Sequence, residues 1–136
     1  MDLTKSLQIS ASAMHAQGTR LRVVAENLAN ADSTGETPND LPYRRQVVTF
    51  RNVFDRAVGA EVVEVADVRP DTSEFTRVYE PGHPSADAEG YVLYPNVNTL
   101  VEMMDLREAQ RSYEANLNVI DVAKTMIMRT IDALRA

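Results

Sequence analysis

Two seven-residue ladders, one at each end of the chain, limit what it can fold into. In residues 3–31, Leu7, Met14, Leu21 and Leu28 recur at intervals of seven. Leu3 and Val24 fall on the companion position, and Ala11, Gly18 and Ala25 add small side chains to the seam. In residues 98–136, Leu106, Tyr113, Ile120, Ile127 and Leu134 repeat at the same interval, with Met103, Leu117 and Ile131 as a second row. Heptads sustained this long predict coiled-coil-like helices. At ~1.5 Å per residue the two would span roughly 43 and 57 Å, against about 11–12 residues for an average globular helix.

The middle of the chain has no such period. It holds all six prolines. "YRRQVVTF" (43–50), "AEVVEVADV" (60–68) and "EFTRVY" (74–79) are rich in Val, Thr, Phe and Tyr with partial alternation, which predicts strands. "EPGHPSADAEG" (80–90) reads as a turn-rich loop, and "YVLYPNV" (91–97) as a short further strand. Four short strands make a small sheet with little core of its own. The economical arrangement brings the termini together. The expected fold is α+β, with long N- and C-terminal helices paired as an antiparallel coiled-coil-like hairpin. Residues 1–32 and 98–136 form the helical part, and 33–97 a loop and β-rich middle.

The helix ends carry their own signals. Pro95 with Asn96 or Asn98 predicts the start of the second helix. "ENLANADSTG" (26–35) predicts the stop of the first, with Gly35 available for a left-handed turn. Asn27 and Asn30 sit three apart in the final turns, where the last four carbonyls lack intrahelical partners. Two amides there predict polar pins to the returning segment or to a neighbour. The first helix also has a second stripe, Ile9, Ala16 and Val23, about 200° round from the Leu7 row. From Ser6 to Thr19 it has no charged side chain. Apolar or small surface on more than one side predicts burial on more than one side. With no third long helix in the chain, other chains are expected to supply the cover.

Composition excludes several functions. Of the 136 residues none is cysteine, so disulfides and thiolate metal sites are ruled out. The net charge of −6 is concentrated in 33–97, and no basic nucleic-acid surface is expected. No apolar run reaches the ~20 residues of a membrane helix. The start of the sequence lacks the basic and apolar blocks of a cleaved secretory signal. His15 and His83 stand too far apart for a metal pattern. Glu102, Asp105 and Glu108, with Arg107 and Arg111 nearby, read as a solvated salt-bridged face. The Arg44-Arg45 pair is a weaker candidate for a contact between subunits. Met103, Met104, Met126 and Met128 read as adaptable packing side chains. No nucleophile, phosphate loop or cofactor motif is recognisable, so no catalytic residue, metal or cofactor is assigned. A small enzyme therefore finds no support, and a stand-alone coiled-coil adaptor or export chaperone would explain the heptads alone.

Three blocks in order carry a resemblance: "ENLANADSTG" (26–35), "VYEPGHPSADAEGYVLYPNVN" (78–98) and "LVEMMDLREAQRSYEANLNVI" (100–120). Together they resemble the flagellar axial proteins, and most closely the proximal-rod FlgC family. One departure is "ETPNDLPYRRQ" (36–46), where seven residues separate Gly35 from Tyr43. The resemblance implies a structural subunit of the flagellar basal-body rod, a hollow drive shaft that crosses the periplasm and transmits torque. It implies paired terminal helices as the inner wall, packed through Leu7, Met14, Leu21, Leu28, Ile9, Val23, Leu106, Tyr113, Ile120, Ile127 and Leu134. The implied partners are other rod proteins (the FlgB, FlgF and FlgG types), a FliE-type base protein and copies of itself. Neither nucleic acid nor direct membrane insertion is implied. Export would run through the flagellar type III apparatus without a cleaved signal.

Overall fold

The computed structural model describes residues 2–135. The chain is α+β, with two long helices packed together and two small antiparallel sheets between them in sequence. Helix α1 spans Leu3–Ala29 and α2 spans Thr99–Arg135. Strands β1 (Gln46–Asp55) and β2 (Ala60–Pro70) pair with each other, as do β3 (Thr76–Tyr79) and β4 (Tyr91–Tyr94). The middle region is thus two separate ribbons rather than one small sheet. β1 begins and ends later than expected, and the 91–97 segment stops as a strand at Tyr94.

Each helix start is capped. Asp2 Oδ1 accepts the Thr4 and Lys5 amides at 3.0 and 3.3 Å, and Asn98 Oδ1 accepts those of Leu100 and Val101 at 3.1 and 3.3 Å. Of the two candidates for the second cap, Asn98 does the capping.

By compactness the chain forms two units, and the division runs across both helices. The first contains α1 up to Leu21, residues Val48–Asp67 and α2 from Arg107. In it Arg20 Nη2 lies 3.6 Å from Glu108 Oε2, while Leu3 and Ser6 line a groove with Asn118, Val122 and Met126. The early part of α1 thus meets the late part of α2, as an antiparallel pair requires. The β1–β2 turn reaches α1 here, since a Cβ on Gly59 would sit 3.5 Å from Lys5 Nζ. The second unit contains Arg22–Val47 and Val68–Leu106. Its β3–β4 ribbon pairs Val78 with Val92 and Tyr79 with Tyr91. Gly90 closes that ribbon at φ 89°, where an added Cβ would also strike the Tyr79 ring at 2.8 Å.

Burial corrects the two-stripe reading of α1. Ala16 and Val23 are buried within this chain, together with Ser10, Val24 and Asn27, while Ile9 is 37% exposed. At ~100° per residue these positions join the half-buried Leu7, Met14, Leu21 and Leu28 in one arc of about half the helix circumference. The two stripes border a single buried face, and cover from another chain is not needed to bury Ala16 or Val23. Ala11 and Ala25 point outward.

On α2 the buried arc is narrower. Leu106, Tyr113, Ile120 and Ile127 are half-buried, but Leu134 is 82% exposed. The companion row is Glu102, Ala109, Asn116 and Ala123, not Met103, Leu117 and Ile131, which are all exposed. Small and polar side chains make up that row, which the hydrophobic pattern alone does not reveal.

Candidate functional site

The densest polar structure is a buried cluster in the second unit. Asn27 is fully buried on the last turns of α1. Its amide nitrogen donates to Gln46 O at 2.9 Å and Glu102 Oε2 at 3.2 Å. Its amide oxygen accepts Gln46 N–H at 2.9 Å and Tyr43 O–H at 2.8 Å. An asparagine amide has two donors and one two-lone-pair acceptor, so every bonding position is used. Toward Gln46 the side chain acts as a neighbouring strand would, exchanging both bonds with one residue at the start of β1. Asn30 behaves differently. It works on its own helix end, donating to Glu26 O at 2.9 Å and accepting Ser33 Oγ at 3.0 Å.

Glu102 was expected on a solvated face, yet it is 0% exposed. A buried carboxylate needs paired and hydrogen-bonded partners, and it has them. Arg45 Nε donates to one oxygen and Asn27 to the other. Arg45 is the hub. Its Nη1 donates to Asp71 Oδ2 at 3.1 Å, and its Nη2 lies 3.8 Å from Asp105 Oδ2. Its backbone N–H donates to Asn96 Oδ1 at 2.8 Å, and its carbonyl accepts the Asp71 amide at 2.8 Å. The planar fork of arginine suits such multiple contacts. Asn96 and Arg44 complete the frame. Asn96 Nδ2 donates to Asp71 O and Ser73 O, and Arg44 Nη1 donates to the same two carbonyls. The Arg44 guanidinium also stacks 4.1 Å from the Phe75 ring centre. Both arginines of the pair therefore bind within the chain.

The electrostatics follow the contacts. Ser73, then Arg45, hold the Asp71 carboxyl below its usual range. Burial first, then the Glu26 and Glu102 carboxylates, raise the Tyr43 phenol above its ordinary value. The Arg45 guanidinium is held more firmly protonated by Glu102 and Asp71, against the opposing effect of burial.

The segment between Gly35 and Tyr43 forms a closed loop. Tyr43 N–H donates to Ser33 O at 2.9 Å across its neck. At the tip Asp40 Oδ2 accepts Thr37 N–H at 3.0 Å and Thr37 Oγ1–H at 2.9 Å. Gly35 is not in a left-handed conformation; the glycines at positive φ are Gly59 and Gly90. Its reason for being glycine is contact, since a Cβ there would lie 2.5 Å from the Asp40 carbonyl oxygen.

Sequence reading singled out Asn27, Asn30 and Gly35 but missed Tyr43, Arg45, Asp71, Asn96 and Glu102 as their surroundings. One signal was available. Glu102 stands seven residues before Ala109, then Asn116 and Ala123, in a row of small and polar residues typical of a close seam. Elsewhere, His15 is exposed, and His83 Nδ1 lies 2.8 Å from Ser85 Oγ within a turn. Among the described residues no group of three or more His, Cys, Asp or Glu could hold a metal ion. No helix among them is long and apolar enough to cross a membrane.

Comparison with known proteins agrees with this architecture. The profile of flagella basal body rod proteins matches residues 7–35, and that of the C-terminal part of flagellar basal body rod FlgEFG proteins matches 88–133. The class is therefore the flagellar rod type, and the two matched segments contain most of the two helices, with the end of α1 running into its loop and with β4 before α2. The flagellar basal-body rod protein FlgC of Agrobacterium fabrum is 48% identical over 134 residues, covering 98% of this chain and 96% of the relative. FlgC of Salmonella typhimurium is 45% identical, covering 96% and 97%, and FlgC of Bacillus subtilis is 39% identical, covering 93% and 95%. The chain belongs to the FlgC family of flagellar basal-body rod proteins.

Proposed function

We propose that this chain is a structural subunit of the proximal flagellar rod, assembling through its terminal helices into a hollow helical shaft that transmits torque. The observation that carries the reading is near-full-length identity with FlgC proteins. The outer surface of α2 supports it. Val101, Met104, Val119, Val122 and Met126 are exposed, and at ~100° per residue they fall on one stripe about 120° round from the centre of the seam, where Val119, Val122 and Met126 border the groove that Leu3 and Ser6 also line. An apolar stripe left open on a helix that is already paired suits a neighbour. Residues 1–32 and 98–136 would form the inner wall, and 33–97 the outer part. Leu7, Met14, Leu21, Leu28, Ile9, Val23, Leu106, Tyr113, Ile120, Ile127 and Leu134 are the proposed packing residues of that wall, with Leu134 and Ile9 free to meet other subunits directly. Asn27, Asn30 and Gly35 would set how the wall helix leaves for the outer part. The partners would be other rod proteins of the FlgB, FlgF and FlgG types, a FliE-type base protein and further copies, in a periplasmic rod reached by type III export. The role is mechanical rather than catalytic.

The test is gene replacement in a motile host. A deletion strain should lack rods and hooks by electron microscopy of purified basal bodies, and the wild-type chain should restore them and be recovered in them. Normal basal bodies in the deletion strain would overturn the proposal.

A further inference from the structure

The β3–β4 ribbon has one face that the buried cluster does not use. The register sets Arg77 opposite Leu93 and Tyr79 opposite Tyr91, and residues directly opposite share a face of an antiparallel pair. The other face carries Val92, which is fully buried. On the open face Tyr79 is 63% exposed, with Tyr91 and Leu93 exposed beside it. Tyr79 is nevertheless held in place. Its ring meets the Tyr91 ring edge-on, 5.3 Å between centres, and fills the space that a side chain on Gly90 would need. The Arg77 guanidinium covers the Tyr91 ring at 4.4 Å. An aromatic side chain fixed before contact loses little entropy on binding, and tyrosines of this kind anchor protein interfaces.

Beside this face, within the same compact unit, lies a recess of about 70 Å³ lined by Pro38, Asp40, Asp87, Tyr91 and Leu93 among others. Small-molecule sites are several times larger, so the recess suits the end of one side chain. Its surroundings are acidic. Asp87 and Glu89 already engage Arg77 at 3.4 and 3.6 Å. A hydrogen bond to Glu80 first, then burial and the charges of Glu80 and Asp32, raise the Tyr94 phenol above its ordinary value.

We infer that this face docks a different protein, through a segment that presents a lysine or arginine next to an aliphatic side chain. The aliphatic group packs on Tyr79 and Leu93, and the cation enters the recess toward Asp40 and Asp87. Charge decides between this partner and the middle region of a second copy. Residues 33–97 carry eleven acids and six arginines, so two such regions repel when brought together. The inference stands on the ribbon's own geometry and does not depend on the chain's place in the rod.

Photo-cross-linking of the full-length chain in a flagellated host tests it. p-Benzoylphenylalanine is placed at Ala88 or, separately, at Glu89, both exposed in the turn that leads to Gly90. Irradiation should join the chain to another protein, at a segment where a lysine or arginine is flanked by Leu, Ile, Val or Met. A synthetic peptide of that segment should bind the purified chain. Tyr79→Ala should weaken this binding at least about tenfold and Tyr79→Phe by less than about threefold. Replacing the peptide's cation with Glu should remove binding. Adducts confined to a second copy or to segments without a cation, no adduct from either position, or equal peptide binding by Tyr79→Ala would overturn the inference. The cross-linking result decides even if Tyr79→Ala fails to fold.

Discussion

The two units handle their polar and apolar groups in opposite ways. In the second, a fully buried carboxylate, a guanidinium and an asparagine amide find their partners within the same chain. In the first, α1 buries Ser10 and Ala16 while α2 leaves Val119, Val122 and Met126 in the open. The chain thus completes its chemistry where α1 hands over to the middle region, and leaves it incomplete along one flank of α2. A buried ion pair contributes little net stability compared with a well-packed apolar core. Its value lies in being satisfied in one arrangement only. An open apolar stripe has the reverse character, tolerant of geometry and dependent on a neighbour.

The sharpest break of this contrast uses two aspartates placed two residues apart on α2. Ile120 is half-buried in the seam, and Val122 is 60% exposed. Ile120→Asp, like Leu21→Asp on the facing helix, places a carboxylate in packed surroundings and should cost several kcal/mol, about 3 or more. Val122→Asp should change the free subunit by under ~0.5 kcal/mol. All three should abolish recovery of the chain in basal bodies, but Val122→Asp alone should do so with an unchanged urea midpoint. Normal motility with Val122→Asp would show that the open stripe is not a contact surface.

Next in size is Asn27→Leu. The side chain keeps its bulk and loses four hydrogen bonds, leaving Gln46 N–H and O and a Glu102 oxygen without partners. At about 1–3 kcal/mol for a stranded group, the second unit should melt earlier and rods should become heat-sensitive. Asn30→Ala removes only local bonds at an accessible helix end and should cost about 1 kcal/mol or less. Equal effects of the two substitutions would remove the distinction between them.

How far the sequence reveals this depends on the residue. The Leu and Ile heptads place both helices to within about two residues, because repeated apolar spacing is a local property. The turn region 80–90 is legible for the same reason, and the cap of the second helix to within two candidates, Asn96 and Asn98, of which Asn98 caps. Glu102 is not. An acid in the first turns of a helix ordinarily faces water, and the approach of Arg45 and Asn27 from segments 57 and 75 positions away in sequence makes its burial tolerable. Ala16 and Val23 fail differently. Their stripe is visible, but whether it meets its own chain or another is decided by tertiary packing. Gly35 shows a third limit, since a glycine kept for a close contact looks the same in sequence as one kept for a left-handed turn.

Titration should separate the units again, by a smaller amount. Asp71 has a folded pKa below its ordinary value of about 3.9. Its contribution is therefore complete above that value and lost as pH falls through the lower, folded one. Tyr43 is raised above about 10. Its contribution is complete below that value and lost as pH rises through the higher one. The second unit should hold a plateau between and weaken on both sides. Urea midpoints followed by exchange at Gln46 would record this, and Asp71→Asn should flatten the acid limb while leaving the alkaline one. Loss of the alkaline limb in Tyr43→Phe would complete the assignment.

The smallest effect is expected at the loop tip. Residues 34–42 are nine in number and closed at the neck by Ser33 and Tyr43. Inserting four residues between Pro38 and Asn39 lengthens a loop whose closure entropy grows only logarithmically, by about 0.3 kcal/mol. It also splits the Thr37–Asp40 turn, but those bonds are exposed and water replaces them, so the total should stay below ~1 kcal/mol. Motility should survive. Gly35→Ala should be worse than the insertion, because its methyl would meet the Asp40 carbonyl at 2.5 Å. The two changes should not add. A longer loop lets Asp40 move away from position 35, so the double variant should be more stable than the sum of the single losses by about 0.5 kcal/mol or more. Additive losses would mean that Asp40 is held in place by something other than loop length, and a non-motile insertion variant would place a partner on the loop itself.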